Sequence, residues 1–159
     1  MPIFNIESLW FPIIKNWRSQ NFSADRTIHL VIDRTIWGRK NLIMISIIYE
    51  QRAIPVYFEF LSKLGSSNFP EQTSVISKVL PLFKNEQFLL LGDREFCSVK
   101  LANWLAEQGV QFCLRLKKNE VVASKNEEWS ELNAHLFKAR DFFVYSGCQG
   151  NKDPKNRWF

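Results

Sequence analysis

Two aspartates of this 159-residue sequence each follow a short apolar stretch, and together they could do chemistry on phosphate groups. Asp33 ends the run TIHLVID at 27–33, and Asp93 comes directly after the run QFLLLG at 87–92. Two carboxylates at neighbouring strand ends can bind divalent cations, and such hard oxygen ligands favour magnesium or manganese. A pair of these ions stabilises the attacking and the leaving oxygen of an in-line phosphoryl displacement. A single aspartate at a strand end more often caps the helix that follows, so the chemistry depends on the two acids meeting.

The elements that must position these acids are predicted from the hydrophobic pattern. Three strands joined by short turns form an antiparallel meander, at 27–33, 42–50 and 53–61. They are followed by helix, strand, helix and strand, at 69–83, 87–91, 98–108 and 110–116. Pro55 cannot donate a hydrogen bond to a sheet, which predicts that the third strand lies at an edge.

This order is that of an RNase H-like α/β fold, a mixed sheet in which parallel strands with crossover helices follow the meander. Its first and fourth strands are parallel central neighbours, so Asp33 and Asp93 are expected side by side at one end. We predict an N-terminal helical segment at 1–22, a partial catalytic core at 23–133 that is incomplete at its C-terminal side, and an irregular basic tail at 134–159. The first helix, predicted from Ile3 to Trp17, contains Pro12, which predicts a break, a kink or two short helices.

The composition is that of a soluble globular chain, with 46% hydrophobic and 23% charged residues. A net charge of +5 is compatible with binding to a polyanion, although charge alone is a weak indication. The three cysteines show no Cys-x-x-Cys spacing, which argues against a disulfide framework or a zinc site. There is no secretory signal and no apolar run of the ~20 residues that a membrane helix needs, so we expect a cytoplasmic protein without membrane contact.

Basic residues close to the two acids are candidates for contact with nucleic acid. They are Arg34, Arg94, Arg115, Lys117 and Lys118, and the last three form the densest cluster. Each one alone can equally be ordinary solvated surface. Glu95 could be a metal ligand or could favour the start of the next helix, and Trp37 could stack on a base or pack against the sheet.

Three segments resemble motifs of a known family, the DDE transposases of the insertion-sequence IS-four family. LVIDRTIW at 30–37 resembles the first-acid motif, LLLGDREF at 89–96 the second-acid motif, and FCLRLKKN at 112–119 the basic strand that follows. The resemblance covers roughly Trp17 to Trp129, and the three motifs are specific as an ordered set.

The resemblance implies an RNase H-like catalytic core with two magnesium ions, which nicks DNA at the insertion-sequence ends and transfers the freed 3′-hydroxyl to target DNA. Asp33 and Asp93 match the first two acids of the family's triad, whereas the late glutamate has no match here. We therefore expect an incomplete fragment with little activity alone, whose partners are DNA and a second copy or a full-length transposase.

Two other functions stay open from the sequence. One is a non-catalytic transposase remnant that binds DNA or full-length subunits as an inhibitor. The other is an RNase H-like nuclease with a different acid set, using Glu95 or Glu120.

Overall fold

The computed structural model describes residues 6–23 and 25–115, together with the backbone of two short strands further on. Contacts divide the chain into two compact units, Met1–Arg115 and Leu116–Phe159. The first unit contains three helices, α1 (Ile6–Asn21), α2 (Phe69–Val79) and α3 (Val99–Glu107), and a 3-10 turn at Leu80–Phe83. Its strands are β1 (Ile28–Trp37), β2 (Lys40–Tyr49), β3 (Arg52–Leu61), β4 (Phe88–Gly92) and β5 (Gln111–Leu114). In the second unit, β6 (Val121–Val122) pairs antiparallel with β7 (Ser130–Glu131).

The five strands of the first unit form one mixed sheet in the order β3-β2-β1-β4-β5. β1, β2 and β3 are antiparallel neighbours, whereas β4 is parallel to β1 and β5 is parallel to β4. This confirms the predicted α/β fold of a meander followed by parallel strands, with the first and fourth strands adjacent at the centre. The prediction from Pro55 is also confirmed, because β3 lies at one edge of the sheet.

The core lies on one face of this sheet. Alternation in β1 buries Ile28, Leu30 and Ile32, and the register places them beside buried residues of β2 and β4. All three helices contribute to the same apolar cluster, through residues that include Ile14, Val75, Ile76, Leu101 and Leu105. The face that carries Ile32 is therefore the helix-covered one, and Asp33 belongs to the opposite face.

The first strand is longer than its sequence pattern predicted. β1 was expected to end at Asp33, but it continues to Trp37 and pairs with β2 as far as Trp37 opposite Lys40. Thr35, Ile36 and Trp37 are residue types that favour extended backbone, which is why the strand continues beyond the acid. Gly38, with φ of 61°, supplies the left-handed conformation that the hairpin turn needs.

The N-terminal helix differs from the expectation for Pro12. α1 runs without interruption through Pro12, so the expectation of a break or of two short helices was wrong, whereas a kink at Pro12 stays a prediction. Pro12 is exposed, and the side chains around it hold the helix against the sheet edge. The Trp10 indole N–H donates to the carbonyl of Pro55 at 3.0 Å, and the rings of Phe11 and Tyr57 meet edge to face at 5.9 Å. Packing against β3 thus outweighs the hydrogen bond that the proline removes.

The second helix begins at Phe69, as predicted, and is capped by Asn68. Asn68 accepts from the backbone N–H of Glu71 at 3.0 Å, and the Glu71 carboxylate accepts from the N–H of Asn68 at 2.7 Å. This reciprocal capping satisfies two donors at the start of α2. The helix predicted at 69–83 is α-helical as far as Val79, and its last part, which contains Pro81, is the 3-10 turn. Among the described residues, no helix combines the length and apolar character needed to cross a membrane.

Candidate metal centre

The register of β1 and β4 brings the two candidate acids together. Ile32 is the parallel partner of Gly92, and neighbouring strands lie ~4.8 Å apart. Asp33 is the next residue of β1, where it still pairs with Met44 of β2, and Asp93 directly follows the last residue of β4, so the two acids are neighbours where β4 ends. Both side chains are exposed. The two acids therefore lie at the level where β4 ends, on neighbouring segments that come from distant parts of the sequence.

The carboxylate of Asp93 is held by a tight turn. One of its oxygens, Oδ1, accepts from the backbone N–H of Glu95 at 2.8 Å, and its carbonyl accepts from the N–H of Phe96 at 3.1 Å. These bonds fix the direction of the side chain and leave Oδ2 available for another partner. In the described part of the chain, the Asp33 carboxylate accepts no side-chain or backbone hydrogen bond. Both acids therefore retain oxygens that a cation could use.

Gly92 permits the close approach of the two acid-bearing strands to their neighbours. A Cβ built at this position would lie 2.8 Å from Leu114 Cδ2, 3.1 Å from Phe96 Cβ and 3.3 Å from Ile32 Cγ2. Only glycine fits between these three side chains without a shift. Close packing therefore requires glycine at position 92, and this packing helps to fix the position of Asp93, the residue that follows.

An ion pair connects the residues that follow the two acids. The Arg34 Nε donates to both Glu95 oxygens, at 2.7 Å to Oε1 and 2.6 Å to Oε2. The Arg34 Nη1 also donates to Asn41 Oδ1 at 3.1 Å. Both charged side chains are mostly buried, with 19% of Arg34 and 13% of Glu95 exposed. The pair therefore joins the first-acid segment to the second-acid segment beneath the exposed carboxylates.

Glu95 is also bound by the loop that leads into α2. The backbone N–H and the hydroxyl of Ser67 donate to Glu95 Oε1 at 2.8 and 2.9 Å. Burial alone raises the pKa of Glu95, but hydrogen bonds from Ser67 and Arg34 outweigh it and hold the pKa below its ordinary value. Glu95 is therefore an ionised carboxylate whose oxygens are already used by protein donors. It also lies four residues before α3, which begins at Val99, so it does not start that helix.

Asn41 is the second hydrogen-bond partner of Arg34 in this network. It is 1% exposed, and its Nδ2 donates to the carbonyls of Lys63 at 3.0 Å and Gly65 at 2.7 Å. The sequence pattern predicted a short turn between the first two strands, and it did not indicate that Asn41 or Ser67 would contact the acid motifs. The contact between Ser67 and Glu95 joins segments 28 residues apart, and the contact between Asn41 and Arg34 crosses the β1–β2 hairpin, so neither follows from a local hydrophobic pattern.

The predicted nucleic-acid contacts fall into different environments. Arg94 and Arg115 are exposed, and the N–H of Arg115 donates to the carbonyl of Gly92 at 2.9 Å, which places it beside the second acid. Arg34 is instead engaged by Glu95 and Asn41. Lys117, Lys118 and Glu120 lie outside the described residues.

Trp37 lies at the tip of the β1–β2 hairpin, next to the turn. Its side chain is 72% exposed, so it is not part of the core.

The donor set fits a magnesium ion that is held by few protein ligands. In residues 6–23 and 25–115, no cluster of three or more acidic, histidine or cysteine side chains could hold a metal. Magnesium is commonly bound through one or two carboxylates, with water and substrate phosphate completing its octahedron. Asp33 and Asp93 are two exposed carboxylates on neighbouring segments, so they are compatible with a site of this kind.

The chain was compared with solved structures, with curated proteins and with models of protein families. The crystal structure of the catalytic core domain of BIV integrase is similar with a TM-score of 0.43 and 11% sequence identity, over 57% of this chain and 56% of that chain. No curated protein matches the sequence. The model of the family described as Transposase DDE domain matches residues 26–154, which is well over half of the chain and extends beyond Trp129, where the motif resemblance ended. The chain therefore belongs to the Transposase DDE domain family.

Proposed function

We propose that this chain provides the first two acids of a metal-dependent DNA transposase that acts at insertion-sequence ends of the IS-four type. The main observation that supports this proposal is the parallel pairing of Ile32 with Gly92. Asp33 and Asp93 follow these two residues, so they lie on neighbouring segments. Membership of the Transposase DDE domain family supports the reaction class. The substrates are then insertion-sequence ends and target DNA.

Asp33 and Asp93 would hold a magnesium or manganese ion against the scissile phosphate. When bound, the ion supplies positive charge that stabilises the oxygens of an in-line phosphoryl displacement. The turn at Asp93 keeps that carboxylate oriented before the ion arrives, which reduces the cost of ordering it. The exposed Arg94 and Arg115 offer positive charge to the DNA backbone at the same end of the sheet. Lys117 and Lys118 extend that basic sequence.

A third carboxylate is needed for the complete reaction. The late glutamate motif of the family has no match in the 159 residues, and without it a second ion is poorly held. We infer that this polypeptide alone performs little strand transfer. The same observation favours a second candidate, a non-catalytic relative that binds DNA or full-length transposase subunits and inhibits them.

Manganese binding tests the metal centre directly, because Mn²⁺ substitutes for Mg²⁺ and is detected by electron paramagnetic resonance. We expect Asp33→Asn and Asp93→Asn each to weaken Mn²⁺ binding at least tenfold, since each removes one of two ligands. Asp25→Asn, at an exposed aspartate in the loop before β1, is the matched control and should bind as the wild type does.

A nicking assay on supercoiled plasmid with Mn²⁺ then separates the two candidates. Nicking by the wild type that Asp93→Asn abolishes supports an enzyme, whereas DNA binding without nicking supports the inhibitor. Equal Mn²⁺ affinity in the wild type and both site variants would refute the proposed centre.

A further inference from the structure

We propose that Arg34 and Glu95 are a positioning pair, which sets the charge that a cation meets at Asp33 and Asp93. This inference rests on the proposed metal centre. Each member belongs to one acid motif: Arg34 directly follows Asp33, and Glu95 comes two residues after Asp93. The pair spans 61 residues of sequence and links the two motifs by side-chain hydrogen bonds.

The geometry of the pair allows little movement. A charge-assisted bond from one Arg34 nitrogen reaches both Glu95 oxygens, at 2.6 and 2.7 Å, in a mostly buried setting. The other contacts of each partner go to groups that are fixed themselves. Asn41 receives a further N–H of Arg34 and is anchored on two backbone carbonyls, while Ser67 donates twice to Glu95. Neither side chain can turn towards the exposed carboxylates without losing these bonds.

The pairing has a consequence for the cation. Glu95 neutralises a guanidinium that would otherwise carry an unpaired positive charge one residue from Asp33. That charge would repel a divalent cation and could itself pair with the carboxylates, and both effects compete with metal binding. Loss of Arg34 has the opposite effect on cation affinity, because it leaves the negative charge of Glu95 unpaired two residues from Asp93. An additional negative charge at that distance attracts the cation.

A purely structural salt bridge would behave differently. Removal of either partner would then loosen the strand ends and weaken metal binding in both variants. The positioning role predicts that loss of Glu95 and loss of Arg34 change the affinity for the cation in opposite directions. When both charges are removed, the affinity should return towards that of the wild type. The direction of the change in affinity is therefore a readout that destabilisation alone does not reproduce.

The test is a Mn²⁺ titration followed by electron paramagnetic resonance, on the wild-type chain and on three variants. We expect Glu95→Gln to weaken Mn²⁺ binding about tenfold, Arg34→Gln to leave it unchanged or tighter, and the double variant to return to within about threefold of the wild type. Lys78→Gln, which breaks the more exposed ion pair with Glu7, is the control and should leave Mn²⁺ binding unchanged.

Circular dichroism of each variant shows whether it folds. If Arg34→Gln does not fold, Arg34→Lys replaces it. That variant keeps the positive charge, so its Mn²⁺ affinity should stay within about threefold of the wild type, and weakening as large as that of Glu95→Gln would refute the positioning role.

The outcomes distinguish this inference from the proposed function. If the wild type binds Mn²⁺, Asp33→Asn does not, and Glu95→Gln binds as the wild type does, the positioning role is refuted while the metal centre stands. Parallel weakening in both single variants, without recovery in the double variant, also refutes it. If the wild type and Asp33→Asn bind equally weakly, both the centre and the pair's role in it fail.

Discussion

Replacement of Gly92 by alanine tests whether close packing sets the position of the second acid. The added Cβ would stand 2.8 Å from Leu114 Cδ2, a flexible side-chain end that can rotate away. The contacts at 3.1 Å to Phe96 Cβ and 3.3 Å to Ile32 Cγ2 are less easily relieved, because both residues are fully buried and the Phe96 Cβ is tied to the backbone. The strand ends must therefore move apart.

The expected cost follows from two opposing effects. Overpacking of a well-filled site costs ~1–3 kcal/mol. Gly92 does not have a positive φ, so alanine is compatible with its backbone and restricts the unfolded chain, which stabilises the fold by ~0.4–1 kcal/mol. At the midpoints of these two ranges, the net result is a loss of about 1.3 kcal/mol in the free energy of unfolding. Without the steric contacts the sign would be reversed.

Urea denaturation followed by circular dichroism measures this loss, with the slope compared between variants. Leu114→Val removes the atom at the shortest contact, so Gly92→Ala should cost less in the Leu114→Val background than in the wild type. If Gly92→Ala is as stable as the wild type, or more stable, the packing argument for this position is refuted.

Two further perturbations probe parts of the fold away from the acids. Asn68→Ala removes the cap of α2 and should lower the free energy of unfolding by ~1 kcal/mol in urea denaturation, whereas Asn85→Ala at an exposed loop position should change it little. Tyr57 has a pKa raised to about 12 from 10.0, first by burial and then by the nearby Glu59. Its neutral form is therefore favoured on folding, and this contribution to stability is complete below pH 10 and is lost as the pH rises towards 12. Tyr57→Phe should show a smaller fall in stability over that range, and an identical fall in both proteins would contradict the assignment.

The sheet could be predicted from the sequence because its strands carry their signals locally. The alternating run at 27–33, the turns after it and Pro55 in the third strand were sufficient to predict the meander, its edge and the central pair of strands. Adjacency of the two acids followed from that topology alone. The position of Asp93 also depends on the preceding Gly92. The packing of Gly92 against Ile32, Phe96 and Leu114 is visible only in the folded structure.

The Arg34–Glu95 network could not be predicted in the same way. Arg34 was interpreted as a possible DNA contact, since a basic residue beside an acid motif has no periodicity that reveals its partner. The strand extends through Arg34 with the side chain on the core side, opposite Ile43. A mostly buried charge is costly unless it is paired, and Glu95 pairs with this one. Glu95 is 61 residues away in the sequence, so only the fold places it beside Arg34.

Pro55 in the edge strand β3 affects the tendency of this protein to associate through its sheet edge. Open sheet edges invite strands from other molecules to add by backbone hydrogen bonding, which is a common route to aggregation. Pro55 has no N–H to offer an incoming strand, and the Trp10 indole already occupies its carbonyl. An intruding strand would therefore lose two hydrogen bonds in the middle of this edge, so growth of the sheet from that side into fibrils is disfavoured.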